Sequence, residues 1–240
     1  MNLLAVDTSS DIAALALCTG AGRRLVPETR AEPARRHGRD LLPSIRALLQ
    51  DGGIAPRDLD VVAVGLGPGS YTGLRIGLTA ARMIAYAAGA AILGLDSLEA
   101  WARSAPAQAG RIHVIADAQR GDVYAAAWER DVADAPLRKV MDSRLEPLAA
   151  WSARLVEGDH VRGPAVASPA IRRVIPPAAI VADAVPDDGR GRSEAILEMA
   201  LKAWGAGRRD DLWALEPRYL RRSAAEDQRD ARGAASMAAR

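Results

Sequence analysis

Short apolar runs separated by polar turns open the chain and predict β-strands. Residues 3–6 form an apolar run that a polar stretch at 7–11 closes, and a second apolar run follows at 12–17. Two such runs on either side of a short polar turn are typical of a β-hairpin. A third strand is predicted at 23–29. We therefore expect three strands at the start of the chain.

Helical spacing follows this opening and then alternates with single strands. From Leu41 the apolar positions recur every three or four residues until Gly52 and Gly53 end the pattern, which predicts an amphipathic helix. The remaining elements of this half are predicted as a strand at 61–64, a helix at 72–88, a strand at 91–95 and a helix at 97–104. The predicted order is β-β-β-α-β-α-β-α.

The second half of the chain repeats this order. An apolar run at 112–116 leads into a polar turn and another apolar run at 122–128, so that Asp7 and Asp117 take matching positions in two hairpins. Later strands are predicted at 137–141, 161–166 and 180–184, and later helices at 148–155, 169–175 and 193–204. A single repeat of this length is typical of a duplicated domain and too long for a solenoid. We predict an α/β protein with two lobes, each with a mixed sheet flanked by helices.

The predicted lobes occupy residues 1–106 and 107–207. Their boundary falls in a stretch with Gly and Pro at 106–110. Residues 208–240 are predicted to form a C-terminal extension, mobile after about residue 222, because almost none of its last residues can anchor a core.

A glycine-rich loop at 65–77 connects a predicted strand to a predicted helix. Ser70 and Thr72 can accept hydrogen bonds from the free N–H groups of that helix, and the glycines leave room for a phosphate or a close protein partner. A P-loop needs a Lys that is absent here, and a dinucleotide fingerprint needs Gly where Ser70 stands. A Gly-rich connection packed closely for structural reasons is an equal alternative. The loop alone assigns no chemistry.

Composition narrows the function classes. The chain has 240 residues, a net charge of +2 and 49% hydrophobic residues without any Phe, which fits a globular protein with an aliphatic core. This charge is not that of a nucleic-acid-binding domain. The N-terminus carries no leader pattern and no long apolar window occurs, so a cytoplasmic location without a membrane segment is expected. The single Cys18 is read as a small core residue.

The three histidines give no metal-binding pattern. His37, His113 and His160 are scattered, and no two of them lie four residues apart. His37 precedes an amphipathic helix and is read as a surface or cap residue. We therefore expect no metal.

Five stretches between residues 3 and 222 match the motifs of a known family. They are Val6-Asp7-Thr8-Ser9, His37 before Leu41-Leu42-Pro43, GPGSYTGLRIG at 67–77, DAQRGDVY at 117–124, and Pro217-Arg218-Tyr219-Leu220-Arg221. With these stretches the chain resembles the bacterial TsaB family, also called YeaZ. The resemblance implies a duplicated actin/hexokinase/Hsp70-like (ASKHA) fold. It also implies a role in making threonylcarbamoyladenosine beside the anticodon of tRNAs that read codons starting with A.

The same resemblance implies partners rather than catalysis. In that family the chemistry belongs to a paralogue, TsaD, and an ATPase, TsaE, joins the complex. A TsaD-like paralogue and a TsaE-like ATPase are therefore the expected partners, tRNA is reached through the complex, and a homodimer in isolation is possible. No cofactor is expected for this chain.

The family comparison also identifies the places where a metal or nucleotide would bind. The paralogue binds its metal with two His four residues apart on a helix, and Ser97 and Trp101 stand at those places here. Neither side chain binds such a metal as imidazole does. Asp7 and Asp117 are where this superfamily handles nucleotide phosphates and metal, which makes them weak candidates for a cofactor site, but each is equally a turn-forming Asp.

Three functions are compared on these residues. A non-catalytic subunit of the threonylcarbamoyl transfer machinery is favoured, because it explains a nucleotide-type fold without a ligand set. An ATP-dependent kinase or transferase of the same fold, acting on a small molecule, is the alternative that Asp7, the glycine loop and Asp117 permit. A metallopeptidase is improbable without the His pair.

Two helices are expected to form the partner interface. Small residues recur every fourth position after the glycine loop, which makes one narrow stripe, and the preceding helix presents an apolar face. The expected interface residues are Leu41, Ile45, Leu48, Gly73, Gly77, Ala81 and Ala85. In the resembling family the corresponding helices pair with those of a second subunit. Close packing of the stripe against the lobe's own sheet is an equal alternative on pattern alone.

Overall fold

Two mixed β-sheets form the framework of the computed structural model, which describes residues 1–22, 24–25, 37–106, 110–133, 135–181 and 189–221. The first sheet has the order β3-β2-β1-β4-β5. Its strands are β1 (Leu3–Asp7), β2 (Ala14–Cys18), β3 (Arg24–Leu25), β4 (Val61–Gly65) and β5 (Ala91–Leu95). β1 pairs antiparallel with β2 and parallel with β4, and β5 extends the parallel part.

The second sheet repeats this topology and has the order β10-β9-β6-β7-β8. Its strands are β6 (Gly110–Asp117), β7 (Asp122–Arg130), β8 (Arg138–Pro147), β9 (His160–Arg162) and β10 (Ile180–Val181). β6 pairs antiparallel with β7 and parallel with β9, as β1 does with β2 and β4. The duplicated actin-like fold predicted from the sequence is confirmed.

Helices cover both faces of the first sheet. The described residues form six α-helices, of which α1 and α2 pack on one face of this sheet and α6 on the other: α1 (His37–Gly52), α2 (Tyr71–Ala88), α3 (Ser97–Arg103), α4 (Leu148–Ser152), α5 (Pro169–Arg172) and α6 (Arg190–Gly205). Alternate residues of a strand point to opposite faces, so Leu4 and Val6 pack with α1 and α2, while Leu3 and Ala5 pack with α6. Because both faces are covered, β1 and β4 are buried along their whole length.

Two helices pack against a sheet other than the one that precedes them in the sequence. α6 follows the second sheet in sequence, and its expected place was in the lobe 107–207, yet it packs on the first sheet. α3 follows β5 but places Leu98 and Trp101 in a cluster with Ile112 and Trp128 of the second sheet. An amphipathic pattern identifies a buried face without identifying the sheet that covers it, which is why sequence order misplaced α6. The division of the chain into lobes at residues 106 and 207 therefore remains a prediction about the sequence.

Several predicted bounds differ from those observed. The strand predicted at 23–29 is described only at β3, and the rest of it lies outside the described residues. The strand predicted at 161–166 ends at Arg162 because Gly163 has a φ of 111° and a short 3-10 turn, Pro164–Ala167, follows. The expected mobile tail after about residue 222 and most of the expected boundary stretch also lie outside the described residues. No helix in the described ranges combines the length and hydropathy needed to cross a membrane.

The buried His113 of the second sheet is expected to make the stability of the fold depend on pH. His113 on β6 is buried, and its Nε2 lies 3.2 Å from Asp159 Oδ2. Burial lowers the pKa of His113, opposed by the charge of Asp159 and assisted by Arg111 and Arg154. At a pH just below the ordinary histidine pKa, His113 is therefore protonated in the unfolded chain and still neutral in the folded chain. The stability that neutral His113 contributes is complete above about pH 6.5 and is lost as the pH falls through the lowered value.

We expect the melting temperature to decrease as the pH is lowered from 7.5 to 5, and we expect this decrease to be smaller in His113→Gln. Thermal melts at a series of pH values measure it, with His160→Gln as the control for losing a histidine elsewhere. An equal pH dependence in the parent and His113→Gln proteins would contradict this assignment.

Candidate functional site

Asp7 lies at the carboxyl end of β1 with no exposed surface. Its Oδ1 accepts hydrogen bonds from the Ser9 backbone N–H at 2.9 Å and from the Ser97 hydroxyl at 3.1 Å. Its Oδ2 lies 3.5 Å from Nη1 of Arg192, whose side chain is also fully buried. A buried carboxylate needs a partner of opposite charge, and here α6 supplies it.

Arg192 is held by groups from both ends of the first lobe. Its Nη2 donates to the Ile12 carbonyl at 2.6 Å, and its guanidinium carbon lies 4.8 Å from the centre of the Trp101 ring. A cation over an aromatic face is stabilised by the ring quadrupole. A metal ion or phosphate at Asp7 would therefore have to displace a guanidinium group that the Ile12 carbonyl and the Trp101 ring hold in place.

Ser97 and Trp101, the residues expected at the metal-binding places, have structural roles in this chain. The buried Ser97 hydroxyl donates to Asp7 and accepts from the Gly67 N–H at 2.9 Å. Trp101 is buried between Arg192 and the second sheet. Within the described ranges, no group of three or more His, Cys, Asp or Glu could hold a metal ion. His37 begins α1, but its side chain lies outside the described residues.

The glycine loop packs against the first hairpin. The Ser70 side chain caps α2 by accepting from the Gly73 N–H at 3.2 Å, and the Ser70 N–H donates to the Ser9 carbonyl at 2.7 Å. A Cβ on Gly69 would overlap Ser9, and one on Gly73 would overlap the Thr8 carbonyl oxygen. These glycines therefore allow the helix terminus to approach the hairpin, which the sequence left open as one of two explanations.

Gly73→Ala is expected to destabilise the protein by about 2–3 kcal/mol, because the new methyl group meets backbone that cannot move without shifting β1. Gly205→Ala, near the end of α6 with open space around it, is the matched control and should be neutral or slightly stabilising. Urea denaturation of the two variants measures the difference. Equal stabilities would mean that the loop and hairpin adapt to the added methyl.

Asp117 lies in a different environment from Asp7. It is exposed at the end of β6, where its Oδ1 accepts from the Gln119 N–H at 2.7 Å and its Oδ2 from the Gln119 side-chain amide at 3.1 Å. Gln119 and Arg120 have φ values of 64° and 59°, so the carboxylate stabilises a tight turn. The structure brings Asp7 and Asp117 to the same region but leaves only Asp117 accessible.

A cleft of about 800 Å³ separates the two hairpins. Its walls include Ser9, Asp11 and Tyr71 of the first lobe and Asp117 and Arg221 on the opposite side. Asp7 is buried and paired with Arg192, so Asp117 is the one of the two candidate carboxylates that lines this cleft.

An apolar groove of about 960 Å³ lies between α1 and α2. Apolar side chains such as Leu42, Ile76 and Met83 line it, and its only charged lining residues in the described part of the chain are Arg57 and Arg75. Leu42 and Met83 are 58% and 54% exposed. Exposed apolar side chains in one groove are typical of a protein-binding surface.

Of the interface residues expected from the sequence, Leu41 alone lines this groove, and it is only 3% exposed. Leu41, Ile45, Leu48, Gly73, Gly77, Ala81 and Ala85 are all buried, and most of their contacts are with the first sheet and its hairpin. The small residues allow the hairpin to pack closely against α2. A Cβ on Gly77 would overlap the Thr8 hydroxyl, which donates to the Gly73 carbonyl at 2.7 Å. The stripe is internal packing, and Ala81→Trp or Ala85→Trp would disrupt the core instead of a partner contact.

Sequence reasoning also missed residues that define these sites. Arg192 opens a helix pattern without a motif, so nothing in the sequence signalled its pairing with Asp7. Leu42, Thr79 and Met83 carried a weak signal, since they occupy the outer positions of the same two helices.

Comparisons with known proteins place these features in context. The family model described as TsaD, tRNA N6-adenosine threonylcarbamoyltransferase, matches residues 25–158. The tRNA threonylcarbamoyladenosine biosynthesis protein TsaB of Bacillus subtilis is 34% identical over 160 residues, which cover 67% of this chain and 68% of that protein. The TsaB protein of Escherichia coli is also 34% identical, over 55% of this chain and 56% of its own length. The structure of YeaZ from Pseudomonas aeruginosa superimposes with a TM-score of 0.73 at 27% identity, and the match covers 91% of this chain and 99% of that one.

Proposed function

Because this chain belongs to the TsaB (YeaZ) family and has a role in tRNA threonylcarbamoyladenosine biosynthesis, we propose that it is a non-catalytic subunit that binds and activates a TsaD-like paralogue. The transfer of the threonylcarbamoyl group to the adenosine beside the anticodon is then the paralogue's reaction. This chain supplies a surface and a stable fold.

The buried pair of Asp7 and Arg192 carries the proposal. In a fold that handles nucleotides, a carboxylate at this place is useful only if a metal or water can reach it. Here its charge is neutralised by an arginine that α6 brings in, and both side chains have no exposed surface. The chain's own chemistry therefore supports a docking role over a reaction in the cleft.

The α1–α2 groove supports a helical protein partner. Its apolar lining would pack against apolar side chains of a partner helix, while Arg57 and Arg75 would favour carboxylates beside them. We assign this groove to the TsaD-like paralogue, and to a second copy of this chain when the paralogue is absent. A TsaE-like ATPase would join the resulting complex, tRNA would be bound through it, and the complex would be cytoplasmic.

An ATP-dependent kinase or transferase acting on a small molecule is the competing function. The cleft of about 800 Å³ and the accessible Asp117 favour it, and the closed environment of Asp7 opposes it. Calorimetry with ATP and Mg²⁺ distinguishes the two functions. Micromolar binding that Asp117→Asn abolishes would favour the kinase or transferase.

Reconstitution tests the proposed function. The chain, a TsaD-like paralogue, a TsaE-like ATPase and tRNA, supplied with ATP and an activated threonylcarbamoyl donor, should form the modified adenosine together, and omission of this chain should abolish the product. The chain alone should form none, and metal analysis should find less than one transition metal per chain. Product formed without the paralogue, or full activity without this chain, would contradict the proposal.

A further inference from the structure

The segment after α6, residues 208–221, returns to the first sheet. The Asp210 backbone pairs with Ile92 of β5, and Nη2 of Arg208 donates to the Gly94 carbonyl at 2.7 Å. Leu215 packs on the first core beside these contacts. The segment is therefore attached to the first lobe before it reaches the cleft.

The motif Pro217-Arg218-Tyr219-Leu220-Arg221 then joins the first lobe at the base of α3. The Arg218 N–H donates to the Leu66 carbonyl at 2.8 Å, and its Nη1 donates to Asp96 Oδ2 at 2.9 Å. The same carboxylate oxygen accepts from Lys139 Nζ of β8 at 2.9 Å. Asp96 thus links this motif to both lobes.

Through Tyr219 and Arg221, the motif also connects α2 to the second hairpin. The Tyr219 ring lies 5.0 Å from that of Tyr71, and its hydroxyl accepts from Arg75 Nε at 2.9 Å. Arg221 donates from Nη2 to Asp122 Oδ2 and to the Gln119 carbonyl. The Arg221 and Asp122 side chains are only 22% and 27% exposed, so water screens this pair weakly.

We propose that residues 217–221 form a clasp that fixes the opening of the cleft between the lobes. Tyr71 and Arg221 both line that cleft, and the clasp joins the α2 N-terminus on one side to the β6–β7 turn on the other. The clasp makes the cleft a rigid part of the scaffold, whereas ligand-binding clefts of two-lobed proteins commonly close by lobe motion. Through Arg75, which also lines the α1–α2 groove, the clasp holds the docking surface in the same rigid unit.

The isolated chain tests this inference, so the result does not depend on the proposed partner. Asp11 and Ala167 are exposed on opposite walls of the cleft and can be replaced by cysteines for spin labels, in a Cys18→Ala background. Double electron–electron resonance spectroscopy then measures the distance between the two spin labels, and hence between the walls of the cleft. The test variants are Arg221→Gln, Asp122→Asn and their double variant. Arg209→Gln is the control, because Arg209 contacts the Arg208 carbonyl and the carbonyl and ring of Trp204, all away from the cleft.

Both single variants should shift the distances upward and broaden them, and the double variant should add nothing further. Amide exchange in residues 117–122 should become about tenfold faster or more, because a charge-assisted hydrogen bond is lost. Arg221→Lys and Tyr219→Phe keep the charge or the ring and should show smaller changes. Unchanged distances and exchange in folded Arg221→Gln would overturn the clasp. If Arg221→Gln does not fold, the same unchanged result in Asp122→Asn would overturn it.

Discussion

Arg192→Met is expected to lower the free energy of unfolding by about 3–5 kcal/mol, because it leaves the Asp7 carboxylate buried without its cation. The substitution also removes the contact between the guanidinium and the Trp101 ring, which leaves a packing defect. Urea denaturation monitored by tryptophan fluorescence measures the loss. Arg190→Met is the matched control, since Arg190 lies on the same helix with an exposed ion pair to Glu194 and should change stability little.

The double variant Asp7→Asn with Arg192→Met separates charge from packing. Removal of both charges should recover a large part of the stability lost in Arg192→Met, because no uncompensated charge stays in the core. A loss below about 1 kcal/mol in Arg192→Met alone would mean that water or another cation reaches Asp7. That outcome would also weaken the argument against a nucleotide reaction in the cleft.

Met83→Glu is expected to weaken docking of the paralogue strongly while the chain stays folded. Met83 is 54% exposed at the α1–α2 groove, so the fold tolerates the change, but a partner helix would bury an unpaired carboxylate. The affinity should fall about thirtyfold or more, which corresponds to about 2 kcal/mol, the scale of an interface hot spot. Analytical ultracentrifugation and the reconstituted modification reaction measure binding and function.

Val174→Glu is the control for Met83→Glu. Val174 is also an exposed apolar residue, but it lies near α5 of the second lobe, away from the groove. It should keep both binding and modification activity. Undiminished binding of Met83→Glu would move the interface to another surface of the chain.

The sequence allowed the strands, their order and the duplication to be predicted because these depend on local apolar periodicity and on turns. The direction of the small-residue stripe could not be predicted. A period of four looks the same whether Ala81 and Ala85 face a sheet or a partner, and the contact that decides it is made by Thr8, far away in the sequence. Met83 can be assigned to the exposed face of α2 only when it is known that the small-residue stripe faces the sheet.

The candidate site was predictable in part for the same reason. Asp7 and Asp117 could be placed at the ends of matching strands, but their environments could not. The cation that neutralises Asp7 comes from α6, whose position on the first sheet depends on how the whole chain folds back. The clasp motif could be recognised in the sequence. Its hydrogen bonds to Asp96 and Asp122 could not be predicted, because they depend on how the two lobes pack together.

The placement of α6 on the first sheet bears on how the polypeptide is synthesised. One face of the first sheet is covered by α6, so the amino-terminal strands expose apolar residues until the ribosome has released nearly all of the described chain. The two halves therefore do not mature one after the other, as independent domains would. Protection of the nascent chain by a chaperone is needed most during this interval, and a stop codon before Arg190 would leave an aggregation-prone fragment instead of a half-sized protein.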